Sequence, residues 1–344
     1  MGLVNRRIRT LLVALLPVFV LAIAGSLVTV PFVALGPGPT FNTLGDKDGG
    51  PVVDIQGVPI HQTSGNLNMT TVAVQDGLNI FDAFGFWVDG RYGLVPRAEV
   101  YPPDVPRDKV DESNKADFKQ SEDNAELAAL HYLKYPTVVK LGSVAADGPA
   151  HDALRAGDQL LSVAGKPIAT SQDVVDAVRG AQPGTVVPVR LRRDGAEQTV
   201  DVKLGARPDD SAKGYLGVTP DETPDGPVKM TFNLSDVGGP SAGLMFTLAV
   251  IDKMSAGDLN GGKFVAGTGT IDPQGKVGPI GGIQYKMVAA REAGAETFLV
   301  PADNCTEALQ HHPDGLRLVK VDTLNTAVDA LRALDAGQPA PACG

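Results

Sequence analysis

The chain has 344 residues, with 40 acidic side chains against 30 basic ones and a formal net charge of −10. That balance, with 5% aromatic residues and 40 glycines, argues against a nucleic-acid binder, because phosphates need a basic face and none is visible. The length leaves room for two domains beyond an N-terminal segment, and His61, His131 and His151 share no metal-ligand spacing with any partner.

In chain order, Arg6, Arg7 and Arg9 precede an uncharged, mostly apolar stretch at 11–35. Its length of about twenty-five residues exceeds the roughly twenty a helix needs to cross a bilayer. No lysine or arginine follows until Lys47, so the positive-inside rule makes residues 1–10 a cytoplasmic N-terminus, 11–35 a single-pass transmembrane anchor, and the rest extracytoplasmic. The alternative is a cleaved signal peptide with its apolar core at 11–21 and Ala22-Ile23-Ala24 as the cleavage site. The apolar run continues through Leu27, Val28, Val30, Phe32 and Val33, which favours an uncleaved anchor.

Gly36-Pro37-Gly38-Pro39 reads as a stiff exit from the membrane, and 36–134 as a β-rich region and charged linker. Alternation at 66–74 predicts a strand. Trp87, among Phe81, Phe84 and Phe86, reads as local core. The mixed-charge stretch 104–126 predicts a solvated linker that turns helical at Ser121, whose hydroxyl precedes the acidic turn Glu122-Asp123. No chemistry stands out in this region.

Residues 135–208 form a small β-rich module with one helix. Thr170 and Asp173 give a capping-box start, Val174, Val175 and Val178 an apolar stripe, and 186–191 and 197–204 pair around the turn Asp194-Gly195. Gly148-Pro149-Ala150, with Leu154-Arg155-Ala156-Gly157-Asp158 and the run to Ile168, resembles a PDZ domain. The resemblance implies that an extended peptide adds to a strand at 138–144 and lies against the helix, with Val138, Val139, Leu141, Val174 and Val178 lining the groove. No glycine-rich carboxylate loop precedes that strand, where Leu133-Lys134-Tyr135-Pro136 stands, which argues against strict recognition of a free C-terminus.

The C-terminal third carries the chemistry. Gly239-Pro240-Ser241-Ala242-Gly243 is followed by a run apolar on every face, which predicts a buried helix opening at Pro240 with Ser241 in its first turn. Backbone N–H groups of Gly239, Ser241 and Ala242 would then meet the positive end of the helix dipole and could hold an oxyanion. About forty residues on, Gly281-Gly282-Ile283-Gln284-Tyr285-Lys286 opens a second helix that stops at Gly294. Lys286 sits in its first turn above Ala289, Ala290 and Ala293, without a carboxylate partner. Dipole and burial both disfavour the ammonium there, as a lysine acting as a base requires. The simpler readings are an N-cap serine and a lysine snorkelling along an alanine face.

These residues, with Phe264-Val265-Ala266-Gly267-Thr268-Gly269-Thr270-Ile271, the type I turn Asp272-Pro273-Gln274-Gly275 and Val277-Gly278-Pro279-Ile280, resemble the Lon-type Ser-Lys peptidases over 229–334. The resemblance implies Ser241 as nucleophile, Lys286 as general base and Thr268 as an assisting threonine. The family usually has an acidic residue where this chain has Gly238 and a glutamate where it has Thr270. No Gly-x4-Gly-Lys-Ser/Thr phosphate loop occurs, so hydrolysis is expected to be ATP-independent, with no cofactor or metal.

Two rivals stand. The pentapeptide also fits a Gly-x-Ser-x-Gly nucleophile elbow, with Asp303 and His311 or His312 completing a triad, although too few residues flank the serine for that fold. A non-catalytic PDZ scaffold would not need both Ser241 and Lys286. The expected class is therefore multidomain α+β: transmembrane helix, β-rich region, PDZ-like domain (135–208), Lon-type proteolytic domain (225–336) and a tail (337–344). Its partners would be protein or peptide substrates and the membrane, with no nucleic acid or nucleotide; a homo-oligomer is left open. Cys305 and Cys343 could close one disulfide outside the cytoplasm or stay free thiols.

Overall fold

The computed structural model describes residues 2–344, with side chains from Ile8 onward, so the basic flank at Arg6 and Arg7 lies outside the described side chains. The chain divides into two units: Met1–Asp54, Ile60–Glu126 and Thr231–Gly344 form one, and Ile55–Pro59 with Leu127–Met230 the other.

The first unit opens with the helix Gly2–Leu27, whose stretch Ile8–Leu27 is 20 residues, long and apolar enough to cross a membrane. The helix stops well short of residue 35. Phe32–Asn42 is a strand with Val33 and Ala34 fully buried, so Phe32 and Val33, which lengthen the apolar run, belong instead to a sheet. Gly36-Pro37-Gly38-Pro39 lies inside that strand rather than at a membrane exit. The register against Asn66–Gln75 shifts between Pro37 and Thr40, where prolines cannot donate to the ladder.

Six strands make the sheet of this unit, in the order Arg317–Val321, Thr297–Pro301, Phe264–Gly267, Asn66–Gln75, Phe32–Asn42, Gly93–Pro96. The first four run parallel, and the last two add antiparallel. The expected β-rich region at 36–134 is thus not separate from the C-terminal domain: the predicted strand at 66–74 pairs directly with Phe264–Gly267. All five residues of Thr297–Pro301 are buried, as in a parallel strand covered on both faces.

The serine helix spans Gly243–Met254, and its residues from Gly243 to Lys253 are buried, as the all-round apolar run requires. Its N-cap is Ala242, so Ser241 precedes the helix instead of lying in its first turn. The mixed-charge linker is also corrected. Arg107–Tyr132 is one continuous helix, and Ser121 lies inside it. Asn114, Phe118, Ser121 and Ala125 recur every three or four residues and so share a face; the last three are buried. On that face Phe118 meets Phe246 at 5.7 Å and Thr247 donates to the Ala125 carbonyl, which fixes the serine helix from one side.

The lysine helix spans Ile283–Glu292 and starts from Gly282 at φ +70°, a left-handed conformation that suits glycine. Ile283, Met287 and Ala290 pack with Phe298, Val300 and Leu318. The segment 264–271 does not form one strand but breaks after Gly267. Thr270–Ile271 pairs instead with Val277–Gly278 across the predicted turn, closed by the Gly275 N–H to the Asp272 carbonyl at 2.9 Å. Cys305 and Cys343 form a disulfide across 38 residues. Trp87, read as core, is exposed on a helix Ile80–Asp89 that buries none of its residues.

The second unit holds a five-stranded run ordered Ala196–Lys203, Val186–Arg193, Gln159–Val163, Thr137–Val144, Val218–Pro224, with the helix Ser171–Val178. The Thr170–Asp173 capping box forms as predicted, and Asp194 and Gly195 both take positive φ in the two-residue turn.

Candidate active site

Ser241 is positioned by its backbone. Gly239, at φ +86°, donates its N–H to the Asn114 carbonyl at 2.8 Å. The Pro240 carbonyl accepts the Ser121 hydroxyl at 3.0 Å. The Ser241 carbonyl accepts the Gly269 N–H at 3.0 Å and the Thr268 hydroxyl at 3.1 Å. Residues 239–241 are therefore held between the helix Arg107–Tyr132 and the break after Phe264–Gly267. Gly238 has a steric reason: a Cβ there would come within 3.0 Å of the Asn114 Cβ, so an acidic side chain would crowd the supporting helix.

Lys286 is 3% exposed and brings its amine into this loop. Its Nζ donates to the Thr70 carbonyl at 2.6 Å and lies 3.0 Å from Ser241 Oγ. Burial pushes its pKa down from the ordinary 10.5 to about 7. Near neutral pH, much of it is thus the free amine, and the same 3.0 Å contact lets the serine hydroxyl donate to nitrogen. Thr268 is also buried, but its hydroxyl holds the Ser241 main chain instead of the lysine amine.

The three expected oxyanion donors are not equivalent. The Gly239 N–H is already committed to Asn114, so it is not available to an oxyanion. The N–H groups of Ser241 and Ala242 have no acceptor among the described residues. Ser241 opens onto a cleft of about 470 Å³ lined by Pro39, Phe41, Met69, Val72, Phe118 and Lys286 among others. A second depression of about 420 Å³ on Ser241 is walled by Pro240, Pro279, Ile280 and Gly281. The smaller cleft is mainly apolar, and the larger combines apolar walls with Thr71 and the ion pair Lys47–Asp236.

The triad alternative fails on geometry. His311 ends the short helix Cys305–Gln310, and the His312 ring bonds the Leu316 carbonyl. Asp303 lies in the turn Ala302–Asn304, and neither histidine nor Asp303 lines the Ser241 clefts. Residues that sequence reasoning missed are Thr70, Asn114 and Ser121. Thr70 and Asn114 act through main-chain carbonyls, which carry no residue-type signal; Ser121 was misread as a cap.

Residues 235–332 match the Lon protease (S16) C-terminal proteolytic domain, and residues 116–204 match a PDZ domain. The chain carries a PDZ domain and a Lon-type proteolytic domain. It is 37% identical over 95 residues to a Lon protease of Campylobacter jejuni, which covers 26% of this chain and 12% of that protein. It is also 37% identical over 90 residues to a probable periplasmic serine endoprotease DegP-like of Pseudomonas putida, covering 26% of this chain and 19% of that one. Among solved structures, the PDZ domain of an SdrC-like protein from Listeria monocytogenes shares 26% identity over 24% of this chain and 85% of its own, with a TM-score of 0.22. The chain thus spans only 12% and 19% of the length of these two curated relatives.

In the PDZ domain the expected peptide strand is corrected. Thr137–Val144 pairs with Gln159–Val163 on one edge and with Val218–Pro224 along the other, so it has no free edge to offer. Val139, Leu141, Val174 and Val178 are core residues of this unit, and Val138 lies on the same enclosed strand. The edge strand is Val218–Pro224, which packs beside the helix Ser171–Val178. Gly214-Tyr215-Leu216-Gly217 leads directly into it, with Gly214–Tyr215 paired to Gly205–Ala206 as a short strand. Glu222, buried on this strand, accepts from Thr137 and from the Ser171 N–H and meets His131, and these contacts hold the strand to the helix start.

Proposed function

We propose that the protein is an ATP-independent serine endopeptidase using a Ser241–Lys286 dyad. The observation that carries this reading is the 3.0 Å contact between Ser241 Oγ and a buried lysine amine that has no carboxylate to hold its proton. In this mechanism the neutral Lys286 amine takes the hydroxyl proton as Ser241 Oγ attacks the scissile carbonyl. The N–H groups of Ser241 and Ala242 stabilise the oxyanion, and Lys286 returns its proton to the leaving amine. Water then hydrolyses the acyl-enzyme with the same lysine as base. Thr268, Asn114 and Ser121 position the serine backbone.

The absence of a phosphate loop from this sequence supports ATP independence, and an open cleft favours extended segments over folded substrates. The PDZ domain would present such segments at the edge strand Val218–Pro224 by strand addition. The helix Ile8–Leu27 would anchor the chain, with the N-terminus cytoplasmic and both domains outside. The substrates would then be exported or membrane proteins. Incubating the purified chain with an unfolded protein, without nucleotide, tests the reading. Cleavage should occur and vanish in Ser241→Ala and Lys286→Arg, since arginine cannot be deprotonated; cleavage by either variant would refute it.

A further inference from the structure

The helix Ile80–Asp89 is capped by a complete Asn79–Asp82 box yet buries no residue. Ile80, Phe81, Phe84, Trp87 and Val88 are exposed at 53%, 51%, 61%, 68% and 61%. At about 100° per residue these five fall within an arc of about 120°, while Asp82 and Asp89 lie on the opposite side. The remaining aromatic, Phe86, turns away from this arc and packs on Tyr92 at 4.6 Å. A solvated surface does not normally carry two phenylalanines, a tryptophan and two aliphatic residues side by side.

What covers the face follows from its position. A Cβ on Gly25, in the last turn of the membrane-length helix, would come within 3.0 Å of the Phe81 ring, so the two helices are in close contact. Thr29 bridges Asn79, and the Val30 N–H donates to the Leu78 carbonyl. The aromatic face is therefore continuous with the exposed apolar surface of Leu27 and Val28 at the end of the span. At 1.5 Å per residue the 20 residues Ile8–Leu27 match the hydrocarbon thickness of about 30 Å, which places their last turn at the lipid–water boundary. A helix beside that turn sits at headgroup depth, where tryptophan is enriched and amphipathic helices lie flat.

We propose that Ile80–Asp89 is an interfacial helix that docks the proteolytic domain onto the lipid surface through Phe81, Phe84, Trp87 and Val88. The docking rests on the reading of Ile8–Leu27 as a membrane anchor. It also ties the site to the membrane: Arg91, just past the helix, pairs with Glu292 of the lysine helix, and a Cβ on Gly93 would overlap the Tyr285 hydroxyl of the same helix. Substrate segments emerging at the lipid surface would meet Ser241 without a long approach.

Trp87 is the one tryptophan of the chain, so its fluorescence reports this face directly. The full chain is reconstituted into vesicles of phosphatidylcholine and phosphatidylglycerol, and flotation after alkaline extraction is measured alongside emission. The expected result is flotation, a blue-shifted emission, quenching by lipids brominated near the headgroup and loss of acrylamide quenching. Phe84→Asp with Val88→Asp should restore acrylamide quenching while flotation persists. Flotation with Trp87 open to acrylamide, and unquenched by brominated lipid, overturns the docking but leaves the anchor. Shielding from acrylamide without bromolipid quenching also overturns it, in favour of a protein partner or a second copy. Failure to float overturns the anchor and the docking with it.

Discussion

Replacing Lys286 by methionine should produce a dead but more stable protein. The folded-state pKa is depressed, so the fold binds the neutral amine while the unfolded chain still holds a proton up to the ordinary value. The sign follows from proton counts: stability rises with pH between about 7 and 10.5, where the unfolded state binds more protons, and the cost of burying the lysine is fully present below about 7. The interval of about 3.5 pH units corresponds to roughly 5 kcal/mol, at about 1.36 kcal/mol per unit. Methionine removes that cost but leaves the Thr70 carbonyl without its 2.6 Å donor, which takes back about 1–3 kcal/mol. The net gain near pH 7 is about 2–4 kcal/mol, or about 5–10 °C in Tm for a domain of this size. Thermal melts of wild type and Lys286→Met from pH 6.5 to 10 should show a gap that is widest at the acidic end and closes as pH rises. A variant that melts lower at pH 7, or a gap independent of pH, would refute the idea that the amine is held neutral by burial.

Three further outcomes follow. Gly239→Ala forces a side chain into a backbone at φ +86°, at a cost of about 1–2 kcal/mol, and displaces Ser241; peptide hydrolysis should fall by about tenfold or more while the melting temperature drops only slightly. Ser121→Ala removes the hydroxyl on the Pro240 carbonyl, so kcat should fall about fivefold, the equivalent of about 1 kcal/mol, with KM and the fraction of folded protein unchanged; a fall in kcat matched by an equal loss of folded protein would indicate general unfolding instead. Reducing the Cys305–Cys343 bridge opens a loop of 38 residues, worth about 4 kcal/mol by the chain-entropy relation, and should lower Tm without changing the pH profile of activity.

Much of the site was legible because glycine and proline bracket it. Gly238-Gly239-Pro240 and Gly281-Gly282 set the serine loop and the lysine helix, and an alanine stripe without carboxylates marked Lys286 as an unusual lysine. Thr70 escaped notice because its role is played by a carbonyl that any residue would supply. Asn114 and Ser121 were hidden by charge: the segment 107–132 looks solvated until Phe118, Ser121 and Ala125 are aligned at helical spacing on one buried face. The PDZ edge strand was misplaced because sheet order is not chain order, and Val218–Pro224, last in sequence, lies outermost. The apolar residues Val33 and Ala34 were lent to the membrane because hydropathy cannot separate a lipid-facing helix from a buried strand.

The dyad itself is tested most directly by the rate at which a fluorophosphonate probe phosphonylates the protein, with loss of fluoride, as a function of pH, with the modified residue located by mass spectrometry. The expected result is a single adduct on Ser241 whose rate climbs through about pH 7, the range to which burial brings Lys286, and which is lost in Lys286→Met but kept when His311 and His312 are both alanine. Undiminished labelling of Ser241 in Lys286→Met, or labelling that depends on either histidine, would contradict a lysine base.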